Sequence, residues 1–181
     1  MEKRAPGQLG LVQEFVNTLD VESGTDALGT PAELGAWLAD RRLLSAAPVG
    51  PSDHASAIAL REALRRLLVA NAGSAPRPSD LAVLDDLAIE CGLRPRFEAA
   101  GTVRLEPAAG GVPGALGRIA AAVAAAMNEG TWHRLKACGE ESCQWAFYDH
   151  SKNRSGHWCS MEVCGNRAKA RQFRQRQRAG R

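Results

Sequence analysis

Two cysteine pairs stand near the C-terminal end of this 181-residue chain, Cys138-Gly-Glu-Glu-Ser-Cys143 and Cys159-Ser-Met-Glu-Val-Cys164, with 15 residues between them. Four thiolates on two short loops are the donor set of a structural zinc ion, which takes four soft ligands in a tetrahedron at about 2.3 Å. Glycines at 139 and 165 and the flanking aromatics Trp145, Phe147 and Trp158 suit two tight metal-binding turns. Such a set is closed, with no coordination position left for water, so the expected metal is one structural Zn2+ rather than a catalytic one. The x4 spacing also admits an iron–sulfur centre or a redox dithiol, and His150 or His157 can replace one cysteine as ligand. Cys91 lies far from the pairs in a helical stretch and reads as buried and inert.

The chain turns basic directly after the second pair. From Gly165 onward there are seven arginines or lysines and no carboxylate side chain. The overall net charge of +3 hides a split: residues 1–130 carry a net −4 (12 basic, 16 acidic) and residues 131–181 a net +7 (11 basic, 4 acidic). On a helix starting near Asn166, Arg167, Arg171, Arg174 and Arg178 follow i, i+4, i+7 and i+11 and share one stripe. Guanidinium forks match phosphate oxygens, so the candidate nucleic-acid contacts are Arg167, Lys169, Arg171, Arg174 and Arg178. Lys152, Asn153 and Arg154, in the loop before the second pair, add a second group. Ala170 and Phe173 lie beside the stripe and are expected to pack on the zinc module or the body.

The elements that must position these residues are mostly helical. Leu9, Val12, Phe15, Val16 and Leu19 recur at helical spacing over residues 8–19. Thr30-Pro31-Ala32-Glu33 has the form of a capped helix start, with Leu34, Trp37 and Leu38 as its apolar stripe. A longer helix spans about residues 53–71, burying Ile58, Leu64, Leu67 and Leu68. Ser79 is expected to cap the next helix, with Leu81, Leu84, Leu87 and Ala88 inward and Gly92 at its end. Residues 96–98 and 102–105 form a small hairpin, residues 107–114 a loop, and Leu116, Ile119, Val123 and Met127 line a helix that stops at Gly130. Between the cysteine pairs, residues 144–148 alternate as a strand, and Trp145, Phe147 and Trp158 are expected to form a miniature core. The expected fold is α+β, mainly α: a helical N-terminal domain with a small β-hairpin over residues 1–130, then a treble-clef or ribbon-like zinc finger and basic helix over residues 131–181.

An apolar fraction of 45% supports a real core. No apolar run is long enough to span a membrane, and the N-terminus has no signal-peptide character, so a cytoplasmic protein is expected. No nucleophile–base constellation, phosphate-cradling glycine loop or carboxylate pair appears, which argues against an enzyme. Asn17 and Thr18, polar residues in an apolar stretch, are candidates for the lining of an effector pocket, and equally for caps on a helix end.

Cys138…Cys143-Gln-Trp-Ala-Phe-Tyr-Asp149…Trp158-Cys-Ser-Met…Cys164-Gly-Asn-Arg167 resembles the CGNR zinc-finger family, and Glu14-Phe-Val-Asn-Thr-Leu-Asp20 with Leu34…Trp37-Leu38 resembles the ABATE domain that precedes it. The resemblance covers nearly the whole chain. It implies a bacterial, stress-related transcription regulator, with Cys138, Cys143, Cys159 and Cys164 as metal ligands and a finger that binds nucleic acid; DNA is the expected partner ahead of RNA, with the choice between them left open by the sequence. The N-terminal domain would then sense a small-molecule effector or form a homodimer. The alternative is a zinc-dependent module that docks on a protein of the transcription machinery, with Trp132, Trp145 and Trp158 as exposed anchors.

Overall fold

The computed structural model describes residues 3–45 and 47–179. Five helices build the body: α1 (Leu9–Val16), α2 (Pro31–Asp40), α3 (Pro51–Ala70), α4 (Pro78–Glu90) and α5 (Gly111–Asn128). Two short strands, β1 (Leu19–Asp20) and β2 (Thr25–Asp26), pair between α1 and α2. A hairpin, β3 (Leu93–Phe97) with β4 (Val103–Pro107), separates α4 from α5. Among the described residues no helix is long and apolar enough to cross a membrane.

Local chemistry accounts for the helix ends. Thr30 Oγ1 accepts from the Glu33 amide at 3.2 Å and donates to Glu33 Oε2 at 2.9 Å, and Pro31 supplies a first-turn φ at no cost in hydrogen bonds. The start of α3 is set by the Gly50 amide donating to Asp53 Oδ2 at 2.9 Å. Ser79 does not cap α4: Pro78 takes the first helical position and Arg77 the cap, so the helix begins two residues earlier than expected and Ser79 lies inside it. Helix α1 stops at Val16, because the Asn17 side chain leaves the helix for a distant strand. The hairpin starts at Leu93, directly after Gly92 takes a φ of +60° and ends α4, and α5 begins at Gly111 within the expected loop.

The core joins Val12, Phe15 and Val16 of α1 to Leu34 and Leu38 of α2, Leu60, Leu64 and Leu68 of α3, and Leu116, Ile119 and Val123 of α5. Helix α4 lies at its edge: Leu87 is buried, Leu84 is half-buried and Leu81 is exposed, contrary to the inward stripe expected there. Met127 is likewise exposed, at the last turn of α5. Arg61 and Arg65 are buried on the α3 face that carries Leu64 and Leu68. A short 3₁₀ turn, Trp132–Arg134, then leads to an antiparallel pair, β5 (Leu135–Ala137) and β6 (Ala146–Tyr148). Leu135, Ala137, Ala146 and Tyr148 belong to the same core as the helices, so this hairpin is built into the body. Full burial of Leu135 alone contributes about 1.5–3 kcal/mol to that union. The chain ends in a single π turn, Met161–Gly165, and helix α6 (Asn166–Ala179).

Candidate metal centre and nucleic-acid interface

The first cysteine pair sits on the turn between β5 and β6. Cys138 directly follows β5 and donates its amide to Trp145 O at 3.0 Å, while the Cys143 and Gln144 amides both donate to Glu140 O, at 2.9 and 3.0 Å. Gln144 takes a φ of +47°, which reverses the chain into β6. The Gly139 amide donates to His157 O at 2.9 Å and ties this turn to the second one. A Cβ at Gly139 would stand 3.3 Å from both that carbonyl and the Trp158 ring. At the second pair, Ser160 Oγ accepts from the Val163 amide at 3.3 Å and opens the π turn that presents Cys164. A Cβ at Gly165 would lie 2.5 Å from Met161 Sδ and 3.3 Å from the Trp158 ring, so a larger residue would have to push the exposed Met161 side chain aside.

The four sulfurs of Cys138, Cys143, Cys159 and Cys164 lie within 4.8 Å of one another. Cys143 and Cys159 are separated by 3.7 Å, as are Cys159 and Cys164. A tetrahedron with zinc–sulfur bonds of about 2.3 Å has edges of about 3.8 Å. A disulfide would need about 2.05 Å. The donor set therefore fits one structural zinc. Neither histidine joins it: His150 Nε2 lies 3.0 Å from Arg4 O, and His157 is exposed. Cys91, buried and remote, has its thiol against Gly117 of α5, where a Cβ would come within 2.7 Å of the sulfur.

Four crowded thiols resist joint ionisation. Hydrogen bonds from Cys143 and Cys159 hold the Cys138 thiol down at about 2. Its hydrogen bonds to Cys143 and Cys159 push those two thiols up, and burial, followed by the influence of Cys138, pushes Cys164 up to about 12. One thiolate is accepted without a metal; the other three need a divalent cation beside them. Zinc uptake at pH 7 is therefore expected to release protons, because thiols held protonated must ionise to bind the ion. A pH indicator in weakly buffered solution would read this, and a release near zero would contradict a four-thiolate site.

The body clamps the finger at several points. Asn17 acts as a peptide mimic toward β6: its Nδ2 donates to Ala146 O at 2.9 Å and its Oδ1 accepts from the Ala146 amide at 2.7 Å. Gln13 Nε2 donates to the same carbonyl at 3.1 Å. Arg65 Nη2 donates to Val16 O at 2.7 Å and its Nη1 to Gln144 O at 3.3 Å, so one buried guanidinium holds the end of α1 and the turn bearing the first cysteine pair. Lys3 Nζ donates to Trp158 O at 2.8 Å and lies 4.9 Å from the Phe147 ring centroid. The expected miniature core is thus divided. Trp145 and Trp158 pack on the cysteines, whereas Phe147 is buried beneath Lys3. Trp132 is buried and the other two tryptophans are half-buried, so they are not the exposed anchors that a docking module would present.

The loop from Asp149 to Gly156 is organised by a buried ion pair. Asp149 Oδ2 accepts from Lys136 Nζ at 2.9 Å and from the Gly156 amide at 2.7 Å, and Oδ1 accepts from the Ser151 amide at 3.0 Å. Burial pushes the Asp149 carboxyl up, but these hydrogen bonds outweigh it and hold it well below the usual carboxylate range. Lys152, Asn153 and Arg154 stand exposed at the tip of this loop, and Arg154 has a φ of +54°.

Helix α6 begins at Asn166, two residues after its metal ligand, and carries six cations and no carboxylate. Compensating carboxylates nevertheless reach it from elsewhere. Arg167 Nη1 pairs with Glu22 Oε1 at 2.8 Å, from the turn between β1 and β2, and Arg171 Nη2 approaches the buried Glu140 Oε2 at 2.6 Å. The N-terminal half of the arginine stripe therefore faces the protein. Among the described residues, no carboxylate pairs with Lys169, Arg174, Arg176 or Arg178. Ala170 and Phe173 do not pack as expected: both are exposed, Phe173 to 64%, because Ala168 takes the half-buried position against the finger.

Asn17 and Thr18 border a cleft of about 690 Å³ whose wall also includes Trp37, Arg41 and Trp145. Their polar atoms are already engaged. Asn17 is spent on Ala146, and Thr18 Oγ1 donates to Phe15 O at 2.7 Å and accepts from Arg61 Nη1 at 3.3 Å. The Arg41 guanidinium lies 4.0 Å over the Trp37 ring and pairs with Glu14 at 3.1 Å.

Sequence reasoning missed Gln13, Arg65, Lys136 and Asp149 as supports of the finger, and Glu22 and Glu140 as partners of the arginines. One signal was available. Arg61 and Arg65 stand at i and i+4 on an otherwise apolar helix face, where charge is retained only if it is paired.

The ABATE family model, described as "Putative stress-induced transcription regulator", matches residues 9–130. The CGNR zinc finger model matches residues 134–177. No curated protein matches the chain significantly.

Proposed function

We propose that this chain, which belongs to the ABATE family and ends in a CGNR zinc finger, is a transcription regulator that binds nucleic acid through α6, DNA in preference to RNA. The observation that carries this reading is a solvent-exposed helix with six cations and no carboxylate, starting two residues beyond a zinc ligand. The zinc holds the two cysteine turns together and so fixes where α6 begins. The residues do the rest. Arg174 and Arg178 grip phosphates, and Arg167 and Arg171 join them when phosphate displaces Glu22 and Glu140. Lys169 and the loop residues Lys152, Asn153 and Arg154 extend the cationic surface. In this reading the chain is not an enzyme, since a closed four-cysteine set cannot activate water. The N-terminal domain serves as an effector-sensing or dimerisation module. The cleft beside Asn17, Thr18 and Trp145 supports the former, because it touches both the body and the finger.

Titration of labelled duplex DNA with the zinc-loaded chain at several salt concentrations tests the proposal. Affinity is expected to fall steeply with salt, as for about three to six phosphate contacts. Arg174→Ala and Arg178→Ala should each lower the salt slope by about one contact. Salt-independent binding, or full binding after removal of residues 166–181, would overturn it.

A further inference from the structure

Resting on the reading of α6 as the nucleic-acid helix, we infer that the face carrying Ala170, Phe173 and Gln177 enters the major groove of duplex DNA and reads base edges. These three residues follow i, i+3 and i+7 and form one stripe. It lies away from the protein: Arg167 and Arg171 point to Glu22 and Glu140, and half-buried Ala168 marks the side against the finger. Phe173 is 64% exposed, the one aromatic residue of a helix otherwise composed of polar side chains and alanine.

The unpaired cations flank this stripe on both sides. Lys169 and Arg176 border it on one side, and Arg174 and Arg178 on the other. A helix gripping a single backbone needs one cationic row. Two rows with an uncharged stripe between them match a helix lying in a groove, with a phosphate wall on either hand. The dimensions agree: α6 has 14 residues, so it is about 21 Å long and about 10–12 Å across with side chains, and the major groove of B-DNA is about 12 Å wide. The stripe also has the right chemistry. A glutamine amide can bond adenine N6 and N7 together, and alanine and phenylalanine side chains suit the thymine methyl group. Phe173 and Gln177 are thus specificity residues, and Arg176 is a phosphate contact.

Selection from a random duplex DNA pool with the full zinc-loaded chain tests this. A short motif containing A·T pairs is expected. Gln177→Ala and Phe173→Ala should each relax one or two positions of it by about tenfold while leaving the salt slope unchanged. Arg176→Ala should lower the slope and keep the motif, and Gln175→Ala, on the side of Ala168, should change neither. Because all these side chains are exposed, zinc content and folding stay constant across the set. Salt-dependent binding with no motif, or a motif that survives both Gln177→Ala and Phe173→Ala, would overturn base reading while leaving the proposed function standing. Single-stranded DNA or RNA outcompeting duplex, with Phe173→Ala abolishing the advantage, would mean that Phe173 stacks on unpaired bases. Absence of any salt-dependent binding would overturn the underlying reading and this inference with it.

Discussion

Cys164→Ser is expected to abolish stoichiometric zinc binding and to release α6, while α1–α5 remain folded. A structural zinc of this type contributes on the order of 10–16 kcal/mol to its module. The cysteine turns have little else to replace it: the apolar groups around the sulfurs are Trp145 and Trp158, both only half-buried. Cys164 lies within the π turn that starts α6, so losing this ligand detaches the helix from its fixed origin. A free helix of 14 residues rich in arginine and glutamine is marginal in water and should fray. The β5–β6 pair should persist, because Leu135, Ala137, Ala146 and Tyr148 are held in the body core and Asn17 and Arg65 bond the strand and its turn. Zinc content by a chromophoric chelator, helicity by circular dichroism and DNA titration should therefore move together. An unchanged equivalent of zinc in Cys164→Ser would show that Cys164 is not a ligand.

Asp149→Ala is expected to destabilise the fold by about 3–5 kcal/mol, because it strands the buried Lys136 ammonium without its counter-charge. Both side chains are nearly fully buried, at 5% and 3% exposure. Lys136 would retain the carbonyls of Arg154 and Gly156, at 2.6 and 3.2 Å, which accept its protons without neutralising it. Gly156 packs closely on the carboxylate, a Cβ there standing 2.8 Å from the Asp149 carboxyl carbon, so Asp149→Ala also takes away the loop's packing partner. The pH dependence has a definite sign. The folded Asp149 carboxyl ionises below its unfolded value of about 3.9, so its stabilisation is complete above that pH and drains away as pH falls toward the folded value. Urea melts of the parent chain should lose stability below about pH 4, and Asp149→Ala should start lower and show a shallower acid limb. Equal stability of the two proteins at pH 7 would remove the ion pair from the account.

The metal centre was legible in the chain because its donors are local. Each pair spans six residues, so residue type and spacing alone place two sulfurs on one turn, and the start of α6 follows from Asn166 standing just beyond the second. Thr30, Pro31 and Glu33 announced a helix start for the same reason, although at α4 the cap falls on Arg77, two positions before Ser79. The supports were not legible. Asn17 meets Ala146 across 129 residues, and Arg65 meets Gln144 across 79. Nothing in helical periodicity says which distant carbonyl will take a side-chain amide. The same limit hid Glu22 and Glu140, whose pairing with Arg167 and Arg171 turns half of the expected phosphate stripe inward.

By itself, then, the order of residues determined a helical body, a four-thiolate metal site and a basic helix beginning at that site, since each rests on neighbours a few positions apart. The tertiary structure decided how they are joined and aimed. It merged the finger's hairpin with the body core, gave Asn17 and Arg65 to the support of the metal-bearing turns, and left Phe173 facing solvent between two rows of cations. Those outcomes depend on which surfaces meet when apolar faces are buried together, and that meeting is set by packing in three dimensions, not by spacing along the chain.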